Sequence, residues 1–268
     1  VTVIERTVRI RDFDCWYRHY GTDGDPVLLV MGFGMSGIAW HPQATRLEGH
    51  HRVVLYDSRG LGKSTEGAGP HDLHTMADDT AALLDHLGWE RAHVVGVSMG
   101  GMIAQHLALR HTGRVRSLSL IATSPGPLTR NLPGGKGIRL FLQANTSKGE
   151  GRLNALRKLL FPPEYASQTV DPSMLEAIGA PSKPHVRLSH LRSIFSHDVR
   201  KELGALASVP TLVIKPALDL LVPPRGSDAI AANLPGARLV EFADGGHGLT
   251  AQHPEAVTRL LREHFAAA

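Results

Sequence analysis

Ala92-His93-Val94-Val95-Gly96-Val97-Ser98-Met99-Gly100-Gly101 is the stretch on which the reading of this 268-residue chain turns. Ala92 to Val97 is a short apolar run, the pattern of a strand buried on both faces of a sheet. Met99 to Arg110 then has the apolar content of a helix and stops near Gly113. A serine therefore stands in the turn from strand to helix, with a glycine two residues away on either side. A G-x-S-x-G turn in this setting holds its serine in a strained backbone conformation with Oγ exposed, and the glycines leave room for the neighbouring strand and helix. The helix N-terminus behind Ser98 adds backbone N–H groups and a favourable dipole, both suited to a negative tetrahedral intermediate. A serine that only caps a helix between glycines has the same local pattern, so the rest of the chain must decide.

Outward from that turn, short strand-like runs recur. Val1 to Ile10 and Phe13 to Tyr20, rich in β-branched and aromatic residues and split by Arg11-Asp12, predict two antiparallel opening strands. Val27 to Met31, Arg52 to Tyr56, Ser117 to Ala122, Thr211 to Lys215 and Ala237 to Phe242 join Ala92 to Val97 as strands buried on both faces. Helical patterns lie between them. Thr75 opens one with a Thr-x-x-Asp capping box to Asp78; Met76, Leu83, Leu84 and Leu87 share its inner face, and Gly88 ends it. Pro254 sits at a first helical position, with Val257, Leu260, Leu261 and Phe265 as an inner stripe. This alternation predicts an α/β fold with a mostly parallel, doubly wound, eight-stranded sheet.

Residues 124–206 break the rhythm, with Pro and Gly interruptions at Pro125, Gly126, Pro127, Pro133, Gly134 and Gly135, short helical stretches and no convincing strand. The expected organisation is a core of residues 1–123 and 207–268 with a helical cap of residues 124–206 inserted between the sixth and seventh strands. Residues 125–206 hold twelve Lys and Arg against six Asp and Glu, a net +6, which leaves −2 for the remainder. That asymmetry suits anionic substrates, although basic residues on short helices more often simply face water. The apolar residues of the same interval, among them Phe141, Phe161 and Phe195, exceed what solvated helices need, and some are expected to line a pocket.

Two further strand ends carry candidate reactive groups. Asp219 falls in the loop after Thr211 to Lys215, and His247 falls in Asp244-Gly245-Gly246-His247-Gly248 after the last strand. Serine, aspartate and histidine in that order at three strand ends are the arrangement of a Ser-His-Asp triad on an α/β sheet. Of the sixteen histidines in the chain, His247 is favoured because its glycine neighbours permit close backbone approach, whereas His41, His50, His51, His71, His74 and His86 lie in polar loop or helical settings. Met31-Gly32-Phe33-Gly34-Met35 follows the third strand, so the backbone N–H of Phe33 is expected to join that of Met99 as an oxyanion hole.

These motifs resemble the α/β-hydrolase superfamily, in particular its bacterial esterase, perhydrolase and methylesterase members, over nearly the whole chain outside the cap. Tyr56-Asp57-Ser58-Arg59-Gly60-Leu61-Gly62-Lys63-Ser64 is similar to the family's D-x-R-G-x-G-x-S segment, in which Asp57 and Arg59 would support structure. Two positions depart from the family pattern: Met31 stands where histidine is usual and Pro216 where glycine is usual, the latter stiffening the loop to Asp219. The resemblance implies a serine hydrolase of carboxylic esters, with Ser98 attacking, His247 as base, Asp219 orienting the imidazole and no metal or cofactor required. Serine at position 98 argues against epoxide and haloalkane chemistry. Perhydrolysis, carbon–carbon bond hydrolysis on the same triad, and a non-catalytic ligand-binding role remain alternatives.

Composition agrees with one large domain: 42% of residues are hydrophobic and 20% charged. The net charge of +4 is scattered and accompanied by no nucleic-acid motif, so a small-molecule ester is the expected partner. No run approaches the length of a membrane span, and the N-terminus lacks a secretory pattern, so a cytoplasmic location is expected. Cys15, the single cysteine, excludes an intramolecular disulfide and reads as a packed strand residue. Oligomeric state and substrate preference have no signature in these motifs.

Overall fold

The computed structural model describes residues 3–127, 132–166 and 171–268. Eight strands form one sheet: β1 (Ile4–Ile10), β2 (Phe13–Tyr20), β3 (Asp25–Val30), β4 (His51–Tyr56), β5 (Ala92–Val97), β6 (Val115–Ile121), β7 (Thr211–Pro216) and β8 (Arg238–Phe242). Their order is β1-β2-β4-β3-β5-β6-β7-β8. The β1–β2 hairpin is antiparallel and β2 joins β4 antiparallel, while every pairing from β4 through β8 is parallel. The chain runs from β3 outward to β4 and then crosses back to β5. The order therefore reverses between β3 and β5, and the loops leaving these two neighbours diverge and open a crevice there.

The helices flanking the sheet are α1 (His41–Leu47), α2 (Leu73–His86), α3 (Met99–Arg110), α9 (Arg225–Asn233), α10 (Leu249–Gln252) and α11 (Pro254–Ala266). On one face Leu83, Leu84, Ile103, Leu107 and Ile230 of α2, α3 and α9 pack on Leu28, Val94, Leu118 and Val213. On the other, Ala44, Val257, Leu261 and Phe265 of α1 and α11 pack on Leu29, Val53, Val95, Leu212 and Ile214. Alternate residues of one strand thus feed two cores, which is why the central strands read as unbroken apolar runs. The Pro254 start and the Val257–Leu261–Phe265 stripe of α11 appear as expected.

Two local expectations are corrected. Helix α2 starts at Leu73, its N-cap being Asp72, whose side chain accepts from the Thr75 N–H at 2.7 Å. A carboxylate three residues upstream supplies the cap, and buried Leu73 draws the first turn onto the core. Asp78 is taken by the far end of α3, accepting from Arg110 at 2.9 Å and contacting His111 Nε2 at 2.9 Å. Strand β8, expected to be buried on both faces, is the sheet edge, with Arg238, Leu239 and Glu241 exposed. An edge strand keeps one flank in water, and charges there discourage pairing with other chains.

Between β6 and β7 the described residues form α4 (Gly135–Thr146), α5 (Gly149–Leu160), α6 (Pro163–Ala166), α7 (Pro172–Gly179) and α8 (Pro184–Ser196). Lys183 and Asp171 precede prolines at the first turns of α8 and α7, where the missing N–H costs nothing. No helix among the described residues is long and apolar enough to cross a membrane. Cys15 is packed in β2 as expected, and burial pushes its thiol pKa up.

Candidate active site

Residues Val30 and Gly96 are paired across β3 and β5, so the loops that follow leave the sheet side by side. Ser98 sits at the end of β5 with φ 56° and ψ −124°, a region that a side chain disfavours and that costs about 1–3 kcal/mol. Surrounding bonds hold it there. Its N–H donates to Ile121 O at 3.0 Å, and its carbonyl accepts from Gly101 N–H at 2.9 Å and Thr123 Oγ1 at 2.8 Å. The flanking glycines are steric necessities: a Cβ at Gly96 would stand 2.3 Å from Gly100 O, and one at Gly100 would stand 2.2 Å from Val30 O.

The loops after β7 and β8 are zipped together. Pro216 pairs with Phe242 as the last register of β7, and beyond it Ala217 N–H donates to Phe242 O at 2.9 Å and Leu218 N–H to Gly245 O at 2.8 Å. Proline at the strand end gives up no ladder bond that these two do not replace, so the departure from the family pattern leaves the acid loop in place. Asp219 Oδ1 accepts from the N–H groups of Leu221 and Val222 at 2.8 and 2.9 Å, which aims Oδ2 at His247 Nδ1, 2.7 Å away. A carboxylate only accepts. That contact therefore puts the hydrogen on Nδ1 and leaves Nε2 as an acceptor.

Ser98, Asp219 and His247 are 8%, 6% and 7% exposed. Ser98 and His247 line one cavity of about 80 Å³, together with Met31 to Met35, Val97, Phe141, Leu156, Leu159, Leu160, Met174, Ile178 and Leu221. Its walls are predominantly apolar, drawn from the β3 loop on one side and from α4, α5 and α7 on the other. Among the described residues, the Phe33 N–H enters no backbone hydrogen bond, and the Met99 N–H, first in α3, has no intrahelical acceptor. Of the three phenylalanines among which pocket-lining residues are expected, Phe141 lines the cavity, Phe161 is buried against the His247 loop, and Phe195 is 43% exposed and away from it. Reading the sequence missed Arg152, Arg187, Asn145, Met174 and Ile178 as cavity residues. The excess of basic residues in this interval was the one signal pointing to the arginines.

Asp57 and Arg59 hold the scaffold. Burial pushes the Asp57 carboxyl above the usual range, against donors from Ser36 Oγ at 2.6 Å, Gly37 N–H at 2.7 Å and Lys63 N–H at 2.8 Å. Arg59 is bidentate on Asp79 at 2.6 and 2.8 Å and reaches Asp12 at 2.8 Å. These bonds anchor the segment after β4 beneath the β3 loop.

A strand-order reversal, a strained serine turn and a histidine held by an aspartate, all at the carboxyl ends of parallel strands, define the class of hydrolases built on this sheet. The sequence model of the family described as "alpha/beta hydrolase fold" matches residues 25–254, and the chain belongs to that family. Over 258 residues it is 34% identical to a protein of Azorhizobium caulinodans named "Putative carbamate hydrolase RutD", covering 93% of this chain and 94% of that one. Among solved structures, a thermophilic esterase from Thermogutta terrifontis with malate bound superposes with a TM-score of 0.81 at 28% identity, covering 98% of both chains. The enol-lactonase of Burkholderia xenovorans LB400 gives a TM-score of 0.83 at 25% identity, covering 97% of this chain and all 100% of that one. The protein is thus a hydrolase of the α/β-hydrolase fold.

Proposed function

We propose that this hydrolase cleaves carboxylic esters through an acyl-enzyme, with Ser98 as nucleophile, His247 as general base and Asp219 as the residue that orients the imidazole. The reading is carried by one observation: a serine in a strained turn and a histidine whose Nδ1 is held by Asp219 line the same apolar cavity. As Ser98 Oγ attacks the ester carbonyl, its proton passes to His247 Nε2, and Asp219 stabilises the imidazolium. The N–H groups of Phe33 and Met99 receive the oxyanion, and donors fixed before reaction cost no reorganisation at that moment. His247 then protonates the departing alcohol. Water, deprotonated by the same histidine, hydrolyses the acyl-enzyme and regenerates Ser98.

Residues 124–206 serve in this reading as a cap over the nucleophile that selects the substrate, since α4, α5, α7 and α8 supply most of the cavity wall opposite the β3 loop. The name of the Azorhizobium relative supports a second reading, carbamate hydrolysis on the same serine. The two differ in the acyl group, because the nitrogen of a carbamate donates into the carbonyl and slows attack. A panel of p-nitrophenyl esters of graded chain length, set beside p-nitrophenyl carbamates and a fluorophosphonate label, tests both. Ester hydrolysis with one label on Ser98 is the expected result; label on another serine, or none on active protein, overturns the assignment. Higher kcat/KM on carbamates than on every ester selects the second reading.

A further inference from the structure

Two arginines enter the cavity that holds Ser98, Arg152 from α5 and Arg187 from α8. Two other cations with little exposure are neutralised, Arg59 by Asp79 and Asp12 and Lys215 by Asp228 and Glu241. Among the described residues neither cavity arginine has a carboxylate partner. The Arg187 guanidinium lies over the Phe33 ring, 5.4 Å from its centroid, and a Cβ at Gly34 would stand 3.9 Å from its Nη1. One of its N–H groups donates to Asn145 Oδ1, which leaves most of a five-donor fork unused. Burial, and then the neighbouring Arg152 charge, pull Arg187 below the ordinary arginine pKa. Two like charges gathered in an apolar cavity destabilise the free protein; the Phe33 ring and Asn145 offset part of the cost, and among the described residues no opposite charge offsets the rest.

A carboxylate would. Its two oxygens match the guanidinium fork, and its charge relieves the repulsion between the arginines. The surroundings favour its arrival: a groove between α4, α5 and the Asp219 loop is lined by Lys136, Arg139, Arg157 and Lys158 against the one carboxylate of Asp219, and residues 125–206 carry a net +6. A field of one sign focused on a low-dielectric cleft raises the encounter rate of the opposite charge. We propose that Arg152 and Arg187 form a carboxylate subsite, so that the substrate is an ester or lactone derived from a short dicarboxylic acid, its free carboxylate on the arginines and its acyl carbon at Ser98. This assignment rests on the serine chemistry proposed above, and it names the substrate class for it.

The test pairs monomethyl glutarate with dimethyl glutarate, which differ in one charge and one methyl group, and follows acid release. The wild-type enzyme is expected to favour the monoanion in kcat/KM by about tenfold or more at low ionic strength, with the preference shrinking as salt is added. Arg187→Gln and Arg152→Gln are each expected to reduce the preference by about tenfold, chiefly through KM for the monoanion, and Arg187→Lys to lie between. Equal use of both esters, or preference for the neutral one, overturns the subsite while leaving the esterase reading standing. Calorimetry of glutarate with the Ser98→Ala protein separates the two ideas further. Binding that weakens in the Arg187→Gln background supports the subsite even if no ester is turned over; no binding to Ser98→Ala overturns it.

Discussion

Asp219 Oδ2 lies 2.7 Å from His247 Nδ1 while Asp219 Oδ1 is committed to the backbone N–H groups of Leu221 and Val222. The two oxygens of one carboxylate have different tasks. One fixes the carboxylate in its loop; the other faces the imidazole.

Asp219→Asn is therefore expected to fold and to lose activity. The amide oxygen is the only part that can accept from the two backbone N–H groups, so its NH₂ must face His247 and place the imidazole hydrogen on Nε2. That nitrogen then cannot take the serine proton. A fall of about 10³–10⁴ in kcat for ester hydrolysis is expected, with an unchanged melting curve. Full activity in this variant would place the acid elsewhere.

Replacement of Ser98 separates chemistry from strain. With φ at 56° and ψ at −124°, Ser98→Gly relieves a conformation that Ser98→Ala retains. The glycine variant is expected to be the more stable of two inactive proteins, by about 1 kcal/mol once the greater chain entropy of glycine is subtracted. Thermal melts of the two variants, run side by side, decide it, and equal or reversed stabilities would show that the turn stores no strain.

Acid is expected to weaken the fold before carboxylates titrate. Burial drives the proton from several histidines, furthest at His93, His190 and His197, lowered to about 4, and His106, lowered to about 3. In the unfolded chain the same groups titrate near about 6.5. Their stabilising effect is thus complete above that pH and is lost as the pH falls toward 4, because the unfolded state binds protons that the folded state refuses. Each contributes a slope approaching about 1.4 kcal/mol per pH unit in that window. Urea midpoints at pH 7.5, 6 and 5 measure it, and a flat profile from 7.5 to 5 would contradict the neutral buried rings.

Phe141, Phe161 and Phe195 should respond to truncation in three ways. Phe141 lines the cavity, with its ring 6.2 Å from that of Phe33, so Phe141→Ala lengthens the space and should move the kcat/KM optimum toward longer acyl chains. Phe161 packs on the loop of His247, so Phe161→Ala should lower kcat on every ester and leave the chain-length profile nearly alone. Phe195→Ala, on an exposed side chain, should change neither. Unchanged chain-length profiles in all three folded variants would mean that these residues belong only to a structural cover.

Much of this arrangement is readable from residues alone because strand periodicity and glycine placement are local signals. Buried β5, the Gly96 and Gly100 positions and the strand-end places of Asp219 and His247 all follow from short windows. The start of α2 was harder: Thr75 and Asp72 both satisfy capping chemistry, and the choice between them depends on burying Leu73, a tertiary effect. The edge position of β8 depends on strand order, which no single strand encodes. The convergence of Arg152 and Arg187 was invisible for a related reason, since the residues come from two helices whose mutual packing no periodic pattern states.

The Gly246-His247-Gly248 segment is attached to the helices between β6 and β7 as well as to the sheet. Gly248 N–H donates to Leu160 O at 2.8 Å, Tyr165 Oη donates to Ala251 O at 3.4 Å, and a Cβ at Gly248 would strike Phe161 at 2.6 Å. Those helices are consequently not an interchangeable module. Exchanging residues 124–206 for the equivalent stretch of a relative, an attractive way to transplant selectivity, would also remove the shelf on which His247 rests. Chimaeras that keep the end of α5 through Tyr165 from the same parent as the histidine loop should retain turnover, and those that split the two should trade rate for any new preference.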